Sequence, residues 1–598
     1  MDFPVTRIFD LIPRYQKIFD PKDDVIAGKE NGEWKKYNIT QYIENTNLLS
    51  SGLLQLGIQK GDTIATIINN CPEWNFLDMA ITQIGAIHVP IYPTITENDY
   101  QYILNHAGIK LVFVATEDLL KKVERIKPSI PSLLDIYALK KINGAKTLAD
   151  IYALGNMHLQ LQEIEKIKNS ILPNDCFTII YTSGTTGNAK GVMLSHNNII
   201  SNFVALSYIP TFGQEGKALS FLPLCHVYER TLNYLYQYLG ISIYYAENLG
   251  TVGDNIKEIK PDMMCAVPRL LEKVYDKFIA NGRKQKGLKK MIFFWAVKVG
   301  SRYELNNANG KLYAYKLKIA NKLVLSKWKE ALGGNFKIIV SGGASLQTKL
   351  ARLYRASGLP VYEGYGLTET SPVIAVTSTD PNGIKFGTVG PPLRGVEMKI
   401  AHDGEIVCRG PNIMLGYYKN EALTQSVIDS DGWFHTGDLG KFEPEGQLRI
   451  TGRKKEIFKT SLGKYIAPEL IENKIKESPF IDNLIVVGEN QRFAAAIVLP
   501  DFIHLRNWCA IKEIPYTTNE EIIKLPRIKQ RYLKEINKFN KELGKTERIS
   551  KIEIISDEWS QLSGELTPTL KLKRNVITTK YQDLINTIFS SNSFAEEM

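Results

Sequence analysis

The chain has 598 residues, of which 44% are hydrophobic, so it is too long for one ordinary core and we expect several structural units. Its net charge of +11 favours anionic partners, but no zinc-finger, RNA-recognition or basic-zipper pattern indicates a nucleic acid. The six cysteines form no C-x-x-C pair and neither a secretory signal nor a membrane span is evident, so we expect a cytoplasmic protein without a disulfide framework or zinc knuckle.

The first 170 residues alternate short apolar runs with longer amphipathic ones. The segments "DTIATII" and "KLVFVAT" predict strands, whereas "EWNFLDMAITQIGA" predicts a helix. This alternation is typical of a parallel sheet covered by helices. We therefore expect an α/β architecture from the start of the chain.

A glycine-rich loop, "YTSGTTGNAKG" at residues 181–191, follows the strand-like run "CFTII". The next segment, "LSHNNIISNFVAL", predicts a helix with Ser195 or Asn197 as its N-cap, so we expect strand, loop and helix in series. Glycine lets backbone N–H groups turn inward around a bulky anion, for which a nucleotide phosphate is the main candidate. The loop is not a P-loop, because no glycine immediately precedes Lys190 and no Ser or Thr follows it. A plain surface turn is the alternative.

More strand candidates follow this predicted helix: "KALSFLP", "ISIYYAE", "DMMCAVP", "FKIIVSGG" and "PVYEGYG". Several of them end in Gly, Pro or a charged residue. Ligands of open α/β sheets bind where strand ends meet loops, so we expect the chemistry at these ends.

Residues 281–330 are rich in lysine and predict two basic amphipathic helices. Their predicted apolar faces are Ile292, Ala296, Val299 and Tyr303 in the first helix, and Tyr313, Leu317, Ala320, Val324 and Trp328 in the second. Two interpretations are open. The helices pack on the core with solvated lysines, or they contact an anionic membrane or a lipid substrate.

After residue 400 the sequence changes to short strands and turns, which indicates a boundary. Beyond about Arg453, "LIVVG" and "FAAAIVLP" predict a strand pair, and residues 520–545 predict a charged helical stretch. We interpret this last part as a smaller α+β domain on a polar hinge.

Four separated motifs occur in one order: "YTSGTTGNAKG", "YEGYGLTETSP" (362–372), "HTGDLG" (435–440) with "TGRKKE" (451–456), and "LTPTLKLKR" (566–574). Together they closely resemble the adenylate-forming, or AMP-binding, superfamily, and the resemblance covers nearly the whole chain. Within it, "LPLCHVYER" (222–230) and "LTPTLKLKR" resemble the long-chain fatty acyl-CoA synthetase branch.

This resemblance implies a large N-terminal α/β adenylation domain with a small β-rich subdomain, residues 1–452, and a small mobile α+β C-terminal domain, residues 453–598. It implies a long-chain fatty acid–CoA ligase that uses ATP and Mg²⁺ to form an acyl-adenylate with release of pyrophosphate. CoA then displaces AMP. The expected partners are a long-chain fatty acid, ATP and CoA, with no nucleic acid; peripheral contact with the cytoplasmic face of an anionic membrane stays open.

The resemblance also implies roles for particular residues. The β- and γ-phosphates would be held by Thr182, Ser183, Gly184, Thr185, Thr186, Gly187 and Lys190. Glu369 would bind Mg²⁺, a hard cation suited to one carboxylate plus phosphate oxygens, with Thr368 near the α-phosphate. The nucleoside would contact Gly343, Ala344, Gly364, Tyr365, Asp438 and Arg453, through the aromatic face of Tyr365 and through ribose hydroxyls at the last two.

Four further roles concern the acyl group and the second step. His226 would lie near the acyl carboxylate, and Lys571 would bridge that carboxylate and the α-phosphate. Leu570 stands where the wider superfamily has a glycine before this lysine, so Lys573 is the second candidate. Lys455 occupies the hinge position, and the face turned inward for CoA would include Ser461, Gly463 and Lys464.

Structural alternatives accompany these roles. Glu369 could be a surface carboxylate in a turn, Asp438 could cap the following turn, and His226 could be a satisfied core histidine. Two other functions also stay open. The same chemistry could act on another carboxylic acid or load an acyl carrier protein, or the fold could serve as a non-catalytic, membrane-associated lipid-binding protein. Retention of the phosphate loop, Glu369, Asp438, Arg453 and Lys571 together argues against the last of these.

Overall fold

The computed structural model describes residues 4–182, 189–248, 250–380, 383–561, 563–567 and 571–590. The chain divides into two compact units. The large unit comprises residues 1–398, 407–435 and 444–448, and the small unit comprises residues 399–406, 436–443 and 449–598. The chain thus passes between the units several times from residue 398 to residue 449. The predicted domain boundary between residues 452 and 453 stays a prediction.

The first large sheet has eight strands among the described residues of the large unit. In spatial order they are Val373–Val376, Val361–Gly366, Ile338–Ser341, Met263–Ala266, Lys217–Ser220, Ser242–Tyr245, Ile26–Glu30 and Glu33–Tyr37. The two edge strands are antiparallel to their neighbours and the other pairings are parallel. All five strand candidates of the segment after the glycine-rich loop lie here, which confirms those predictions. Their carboxyl ends share one edge of the sheet.

The second large sheet contains the strands on both sides of the glycine-rich loop. In spatial order its described strands are Gly416–Tyr417, Lys190–Ser195, Cys176–Thr182, Ile87–Pro90, Thr63–Ile67, Leu111–Val114 and Asp135–Ala138. The first two pairings are antiparallel and the rest are parallel.

The expected order of strand, loop and helix was wrong at this point. Lys190–Ser195 is itself a strand, and it pairs antiparallel with Cys176–Thr182 so that Lys190 lies opposite Thr182. The physical reason is that Val192 and Leu194 are apolar and fully buried, which suits a strand covered on its inner face. The following helix, His196–Leu206, begins as predicted, because the Ser195 side chain accepts a hydrogen bond from the Asn198 backbone N–H.

Helices surround the sheets of the large unit. They are Leu11–Ile18, Ile39–Gln55, Pro72–Gln83, Glu97–Ala107, Glu117–Ile126, Leu148–Met157, Leu161–Ser170, His196–Leu206, Val227–Leu239, Val252–Ile259, Pro268–Lys284, Gly287–Gly300, Gly310–Ala320, Ser326–Ala331, Thr348–Ala356 and Glu421–Gln425. Two predicted basic helices appear at residues 281–330, but the second is interrupted by a π-helical stretch, Asn321–Leu325. Among the helices that the structure describes, none combines the length and apolar composition needed to cross a membrane.

A buried ionic network holds helix Val227–Leu239 in place. Arg230 donates hydrogen bonds to Asp78 Oδ1 at 2.5 Å, Thr178 Oγ1 at 2.7 Å and Tyr234 Oη at 2.8 Å. Burial alone would raise the pKa of Asp78, but the Arg230 guanidinium and the His88 hydrogen bond lower it overall. The network therefore ties this helix to helix Pro72–Gln83 and strand Cys176–Thr182.

A four-stranded sheet follows, with the strand order Glu397–Ile400, Glu405–Arg409, Phe434–Phe442 and Leu448–Arg453. It corresponds to the predicted change to short strands after residue 400. The small unit also has a strand pair, Phe458–Lys459 with Tyr465–Ile466, and a three-stranded sheet of Ile481–Val487, Ala494–Pro500 and Ile549–Ile554. Its described helices are Pro468–Ile475, Phe502–Ile511, Asn519–Lys524, Pro526–Asn540, Arg574–Lys580 and Gln582–Ser590. The predicted strand pair and charged helical stretch are confirmed.

Candidate active site

Four of the predicted nucleoside-binding residues lie on neighbouring strand ends of the eight-stranded sheet. Gly343 and Ala344 follow strand Ile338–Ser341, and Gly364 and Tyr365 lie within the adjacent strand Val361–Gly366. The two strands are parallel, with Ser341 opposite Glu363. Gly343 adopts a φ of +81°, which favours glycine. The sheet edge thus brings these four residues together, although their contacts with a nucleoside stay a prediction.

His226 lies at the start of helix Val227–Leu239, where its Nδ1 accepts a hydrogen bond from the Tyr228 backbone N–H at 3.1 Å. The next residues dock on the same sheet edge: the Tyr228 hydroxyl donates to the Val340 carbonyl oxygen at 3.0 Å. A Cβ atom at Gly342 would lie 3.0 Å from Cζ of Tyr228, so this close approach favours glycine. His226 therefore acts as a helix cap near the strand end that carries Gly343.

Thr368 and Glu369 lie in a single 3₁₀ turn, Thr368–Thr370, which follows strand Val361–Gly366. A Cβ atom at Gly366 would lie 1.7 Å from the Pro372 carbonyl oxygen, so no larger residue fits before the turn. On the other side, the Glu369 carbonyl oxygen accepts a hydrogen bond from the Met414 backbone N–H at 2.9 Å. The turn is therefore fixed from both directions.

Residues 411–418, which we call the bridging segment, connect this turn to the strand after the glycine-rich loop. Asn198 donates to the carbonyl oxygens of Pro411 and Ile413 at 2.7 and 2.8 Å. The Tyr418 backbone N–H donates to the Gly191 carbonyl oxygen at 2.8 Å. The bridging segment thereby places the Glu369 turn beside the strand that begins with Lys190.

Tyr417, in the bridging segment, contacts two predicted site residues. Its hydroxyl donates a hydrogen bond to Glu369 Oε1 at 2.8 Å, and Lys190 Nζ lies 5.3 Å from the centroid of its ring. Burial and the neighbouring Glu369 charge raise the pKa of Tyr417. Sequence reasoning missed this residue. The only signal was the pair of tyrosines after Gly416, and nothing local connects them to Glu369.

The glycine-rich loop itself is only partly described. Thr182 ends one strand and Lys190 begins the next, directly opposite each other. The other predicted phosphate-binding residues, Ser183, Gly184, Thr185, Thr186 and Gly187, lie outside the described residues.

In the small unit, Asp438 and Arg453 form an ion pair. Arg453 Nε donates to Asp438 Oδ1 at 2.9 Å, and the Asp438 side chain is buried whereas that of Arg453 is partly exposed. The Asp438 charge raises the pKa of Arg453. The two residues predicted to share one ribose therefore lie together. Lys455 follows two residues later and is exposed.

The remaining predicted residues of the small unit lie in a hairpin and in the closing basic run. Ser461, Gly463 and Lys464 form the turn between strands Phe458–Lys459 and Tyr465–Ile466, and Gly463 has a φ of +78°. Lys571 is exposed, and its backbone N–H donates to Thr567 Oγ1 at 3.0 Å. Lys573 instead precedes helix Arg574–Lys580 as its N-cap residue.

Comparison with known proteins decides the family. Residues 19–418 match the AMP-binding enzyme family, and residues 455–593 match the AMP-binding enzyme C-terminal domain. The chain belongs to the AMP-binding enzyme family. This finding confirms the resemblance inferred from the four motifs.

Relatives and solved structures agree with the family. The chain is 32% identical over 579 residues to long-chain-fatty-acid–CoA ligase FadD15 of Mycobacterium bovis, covering 96% of this chain and 95% of that protein. It is 31% identical over 604 residues to fatty acyl-CoA synthetase A of Dictyostelium discoideum, covering 95% and 88%. The adenylation domain of a carboxylate reductase from Mycobacterium chelonae has a similar fold, with a TM-score of 0.76, 19% identity, and coverage of 99% and 92%. The predicted α/β fold class is confirmed.

One buried carboxyl group of this AMP-binding enzyme has no predicted role. Glu229 follows Tyr228 in helix Val227–Leu239 and is fully buried, and neither carboxylate oxygen has a hydrogen-bond partner among the described residues. Burial raises the pKa of Glu229 to about 8, so the neutral acid is favoured at this position. Sequence reasoning missed this feature, because a glutamate in a polar stretch such as "HVYER" gives no local sign that it is buried.

Proposed function

We propose that this AMP-binding enzyme is an ATP-dependent long-chain fatty acid–CoA ligase. The central observation is that Lys190 and Glu369, which come from two separate motifs, both contact Tyr417 in the large unit. A cation and a carboxylate beside a glycine-rich loop suit a nucleotide triphosphate with its metal ion. The identity of about one third with long-chain-fatty-acid–CoA ligases over nearly the whole chain supports the choice of acyl substrate.

The reaction has two displacements. An oxygen of the fatty acid carboxylate attacks the α-phosphorus of ATP, the bond to the β-phosphate oxygen breaks, and pyrophosphate leaves. The CoA sulfur then attacks the carbonyl carbon of the acyl-adenylate, the bond to the AMP oxygen breaks, and the thiol proton passes to solvent or base. In the first step two anions meet, so cations and N–H groups must offset their repulsion.

The residues of the large unit suit that first step. Lys190 and the loop from Thr182 would bind the β- and γ-phosphates. Glu369 and Thr368 would hold Mg²⁺ and the α-phosphate, and bound Mg²⁺ would supply charge neutralisation on the phosphate oxygens. Tyr365, with Gly343, Ala344 and Gly364, would contact adenine. His226 would orient the acyl carboxylate. The hydrogen bond that its Nδ1 accepts from the Tyr228 backbone N–H restrains the orientation of its ring.

The residues of the small unit suit the sugar and both displacements. Asp438 would accept hydrogen bonds from the ribose hydroxyls, and Arg453 would donate to the same sugar. Lys571 would bridge the acyl carboxylate and the α-phosphate, and Lys455 stays the proposed hinge. Ser461, Gly463 and Lys464 would face CoA. The exposed position of Lys571 is compatible with this role.

A panel of carboxylic acids tests the substrate and the acceptor together. Purified enzyme is incubated with ATP, Mg²⁺ and each acid, with either CoA or an acyl carrier protein, and AMP is measured. We expect AMP formation that requires CoA and is fastest with long straight-chain acids. Preference for a short or aromatic acid, or for the carrier protein, would favour the alternative that the same chemistry acts on another carboxylic acid or loads an acyl carrier protein. Absence of pyrophosphate exchange with every acid would favour a lipid-binding protein.

We also propose that the enzyme contacts anionic membranes through residues 281–330. This segment contains thirteen Lys and Arg residues against only Glu304 and Glu330, so its excess positive charge equals the net charge of the whole chain. Four of its lysines, Lys284, Lys286, Lys289 and Lys290, are exposed, and among the described residues none of them pairs with a carboxylate. Such a charge concentration favours an anionic surface.

Exposed apolar side chains accompany these lysines. In helix Gly287–Gly300, Leu288, Met291 and Trp295 follow the spacing of one helical face and are 70%, 70% and 36% exposed. Leu312 and Tyr315 are also exposed in helix Gly310–Ala320, at 70% and 64%. In the predicted faces, Ala296, Val299 and Trp328 are buried, and the other residues are buried or partly buried. Each helix therefore has an inner apolar face and exposed apolar residues, which suits a bilayer better than a nucleic acid.

Vesicle co-sedimentation tests the membrane proposal. Each lysine near an anionic surface contributes on the order of 1 kcal/mol, so changing Lys284, Lys286, Lys289 and Lys290 to Gln should abolish most binding to anionic vesicles. The matched control changes four exposed lysines of the small unit, Lys512, Lys534, Lys541 and Lys545, to Gln and should bind as wild type. Unchanged binding of the first variant, or equal loss in both, would contradict the proposal.

A further inference from the structure

Tyr417 contacts two groups of opposite charge that form no ion pair with each other among the described residues. The Glu369 carboxylate accepts from its hydroxyl at 2.8 Å, and the Lys190 ammonium lies 5.3 Å from its ring centroid. Among the described residues, neither Lys190 nor Glu369 takes part in an ion pair within 4 Å. A lysine and a glutamate that share one neighbour would ordinarily gain by direct contact. Each of them instead contacts the Tyr417 side chain.

The backbone around Tyr417 is held by several hydrogen bonds. Tyr417 pairs with Val192 across the antiparallel strands, and its N–H donates to Thr424 Oγ1 at 2.9 Å. A Cβ atom at Gly416 would lie 2.9 Å from Cγ2 of Thr424, so the segment is tightly packed there. The tyrosine side chain is 6% exposed. Its hydroxyl and ring are therefore fixed before any ligand arrives.

We infer that Tyr417 is a positioning residue that keeps Lys190 and Glu369 apart, so that the cation stays available for phosphate and the carboxylate for the metal ion. The inference rests on the proposed roles of those two residues. The hydroxyl orients the carboxylate while leaving its charge in place, since a neutral donor does not cancel it. The ring attracts the ammonium through its face, which binds a cation more weakly than a carboxylate would.

The two parts of the side chain have separable effects. Tyr417→Phe keeps the ring but removes the hydrogen bond to Glu369. Loss of such a supporting hydrogen bond typically weakens metal binding by about 10- to 100-fold. Tyr417→Leu also removes the ring, which lets Lys190 and Glu369 approach each other. We therefore expect the first variant to need more Mg²⁺, and the second to lose affinity for both Mg²⁺ and ATP.

The test measures ligand binding as well as turnover. Binding of Mn²⁺ in the presence of ATP is followed by electron paramagnetic resonance, and binding of ATP at saturating Mg²⁺ is followed by calorimetry. We expect Tyr417→Phe to weaken Mn²⁺ binding at least about tenfold while ATP affinity at saturating Mg²⁺ stays near wild type. Tyr417→Leu should weaken both. In turnover assays, Tyr417→Phe should raise the half-saturating Mg²⁺ concentration and leave kcat at saturating Mg²⁺ nearly unchanged.

The adjacent Tyr418 supplies the matched control. Its ring packs against His106 with a centroid distance of 5.6 Å, and among the described residues no hydrogen bond or cation–ring contact joins its side chain to Lys190 or Glu369. Tyr418→Phe should leave Mn²⁺ and ATP binding unchanged. Wild-type Mn²⁺ binding by Tyr417→Phe, or an equal loss in Tyr418→Phe, would overturn the inference. The binding measurements need no fatty acid, so failure of the proposed substrate would leave this test intact.

Discussion

Glu369 and Glu229 of the large unit differ in their neighbours from three carboxylates of the small unit. In the large unit, Glu369 accepts from a neutral tyrosine hydroxyl, and Glu229 has no hydrogen-bond partner among the described residues. In the small unit, Asp438 pairs with Arg453 at 2.9 Å, Glu472 with Arg574 at 2.6 Å and Glu565 with Lys580 at 2.8 Å. Glu369 and Glu229 therefore have no cationic partner among the described residues, unlike Asp78 of the same unit, whereas each of these three carboxylates of the small unit is paired with a cation.

This difference suits the chemistry proposed for each unit. A carboxylate that has no cation beside it can bind a metal ion without first breaking an ion pair. A carboxylate already paired with arginine presents a fixed hydrogen-bonding group to a neutral sugar. We therefore expect loss of a cation from the small unit to impair the chemical step, and loss of a paired carboxylate there to impair nucleotide binding.

The largest expected effect concerns the exposed cation of the small unit. Lys571→Ala should slow acyl-adenylate formation by roughly 10²-fold or more, the scale of losing one electrostatic contact to the transition state. Transfer from supplied acyl-adenylate to CoA should be nearly intact. Single-turnover assays of each half-reaction measure the two effects. Lys573→Ala is the control, and a larger loss of adenylation in that variant would assign the role to Lys573.

A smaller effect is expected at the ion pair of the small unit. Asp438→Asn removes a charged acceptor and leaves Arg453 without its partner, which should raise the KM for ATP about tenfold with little change in kcat. Asp403→Asn is the matched control, because Asp403 forms an exposed pair with the neighbouring Lys454 at 2.7 Å. Steady-state kinetics in ATP checks both variants. A similar rise in KM for both would show that the ion pair has no specific role in nucleotide binding.

Stability should depend on pH in opposite ways in the two units. Burial raises the pKa of Glu229 from its ordinary value of 4.5 to about 8, so the unfolded chain binds fewer protons between those values. The contribution of Glu229 to the stability of the large unit therefore falls as pH rises through that window. Glu229→Gln should remove this loss of stability. Compared with wild type, its melting temperature should be higher by a few degrees above about pH 8 and unchanged near pH 4.5.

Glu565 shows the opposite behaviour. Burial favours its neutral form, but hydrogen bonds from Lys580 and Ser563 outweigh burial and lower the pKa of Glu565 to about 2. The contribution of Glu565 to the free energy of unfolding is fully present above about pH 4.5. It is lost as pH falls through the pKa of Glu565 in the folded protein. Glu565→Gln should therefore destabilise the small unit at neutral pH. Melting curves across pH, together with hydrogen exchange of helix Val227–Leu239, distinguish Glu229→Gln from Glu565→Gln. A change of melting temperature in the same direction for both variants would contradict the comparison.

Much of the fold could be predicted from the sequence, because apolar runs and helix caps are local features of the chain. The buried runs such as "FKIIVSGG" form strands as expected, and the Ser195 cap begins its helix. The strand Lys190–Ser195 was missed because the loop was taken to end at Gly191 and the helical segment to begin at Leu194, which left only Val192 and Met193 between them. Local composition could not show that it pairs with Cys176–Thr182.

The candidate site followed from motifs, but its supporting residues did not. Glu369 and Lys190 belong to recognisable patterns, whereas Tyr417 meets them only through the bridging segment and its pairing with Val192. Glu229 and Arg230 are neighbours in sequence, yet Arg230 pairs with the distant Asp78 and not with Glu229. Such contacts depend on how distant segments pack, which no local pattern encodes.

The most direct test of the central claim follows one acyl-adenylate through both steps. The enzyme is mixed with a long-chain fatty acid, Mg²⁺ and ATP labelled on the α-phosphate, without CoA, and the labelled species are resolved after a single turnover. CoA is then added. The account predicts a bound acyl-adenylate that forms with release of pyrophosphate and converts to acyl-CoA and labelled AMP when CoA arrives. Failure to form the adenylate from a long-chain acid, or an adenylate that does not react with CoA, would contradict it.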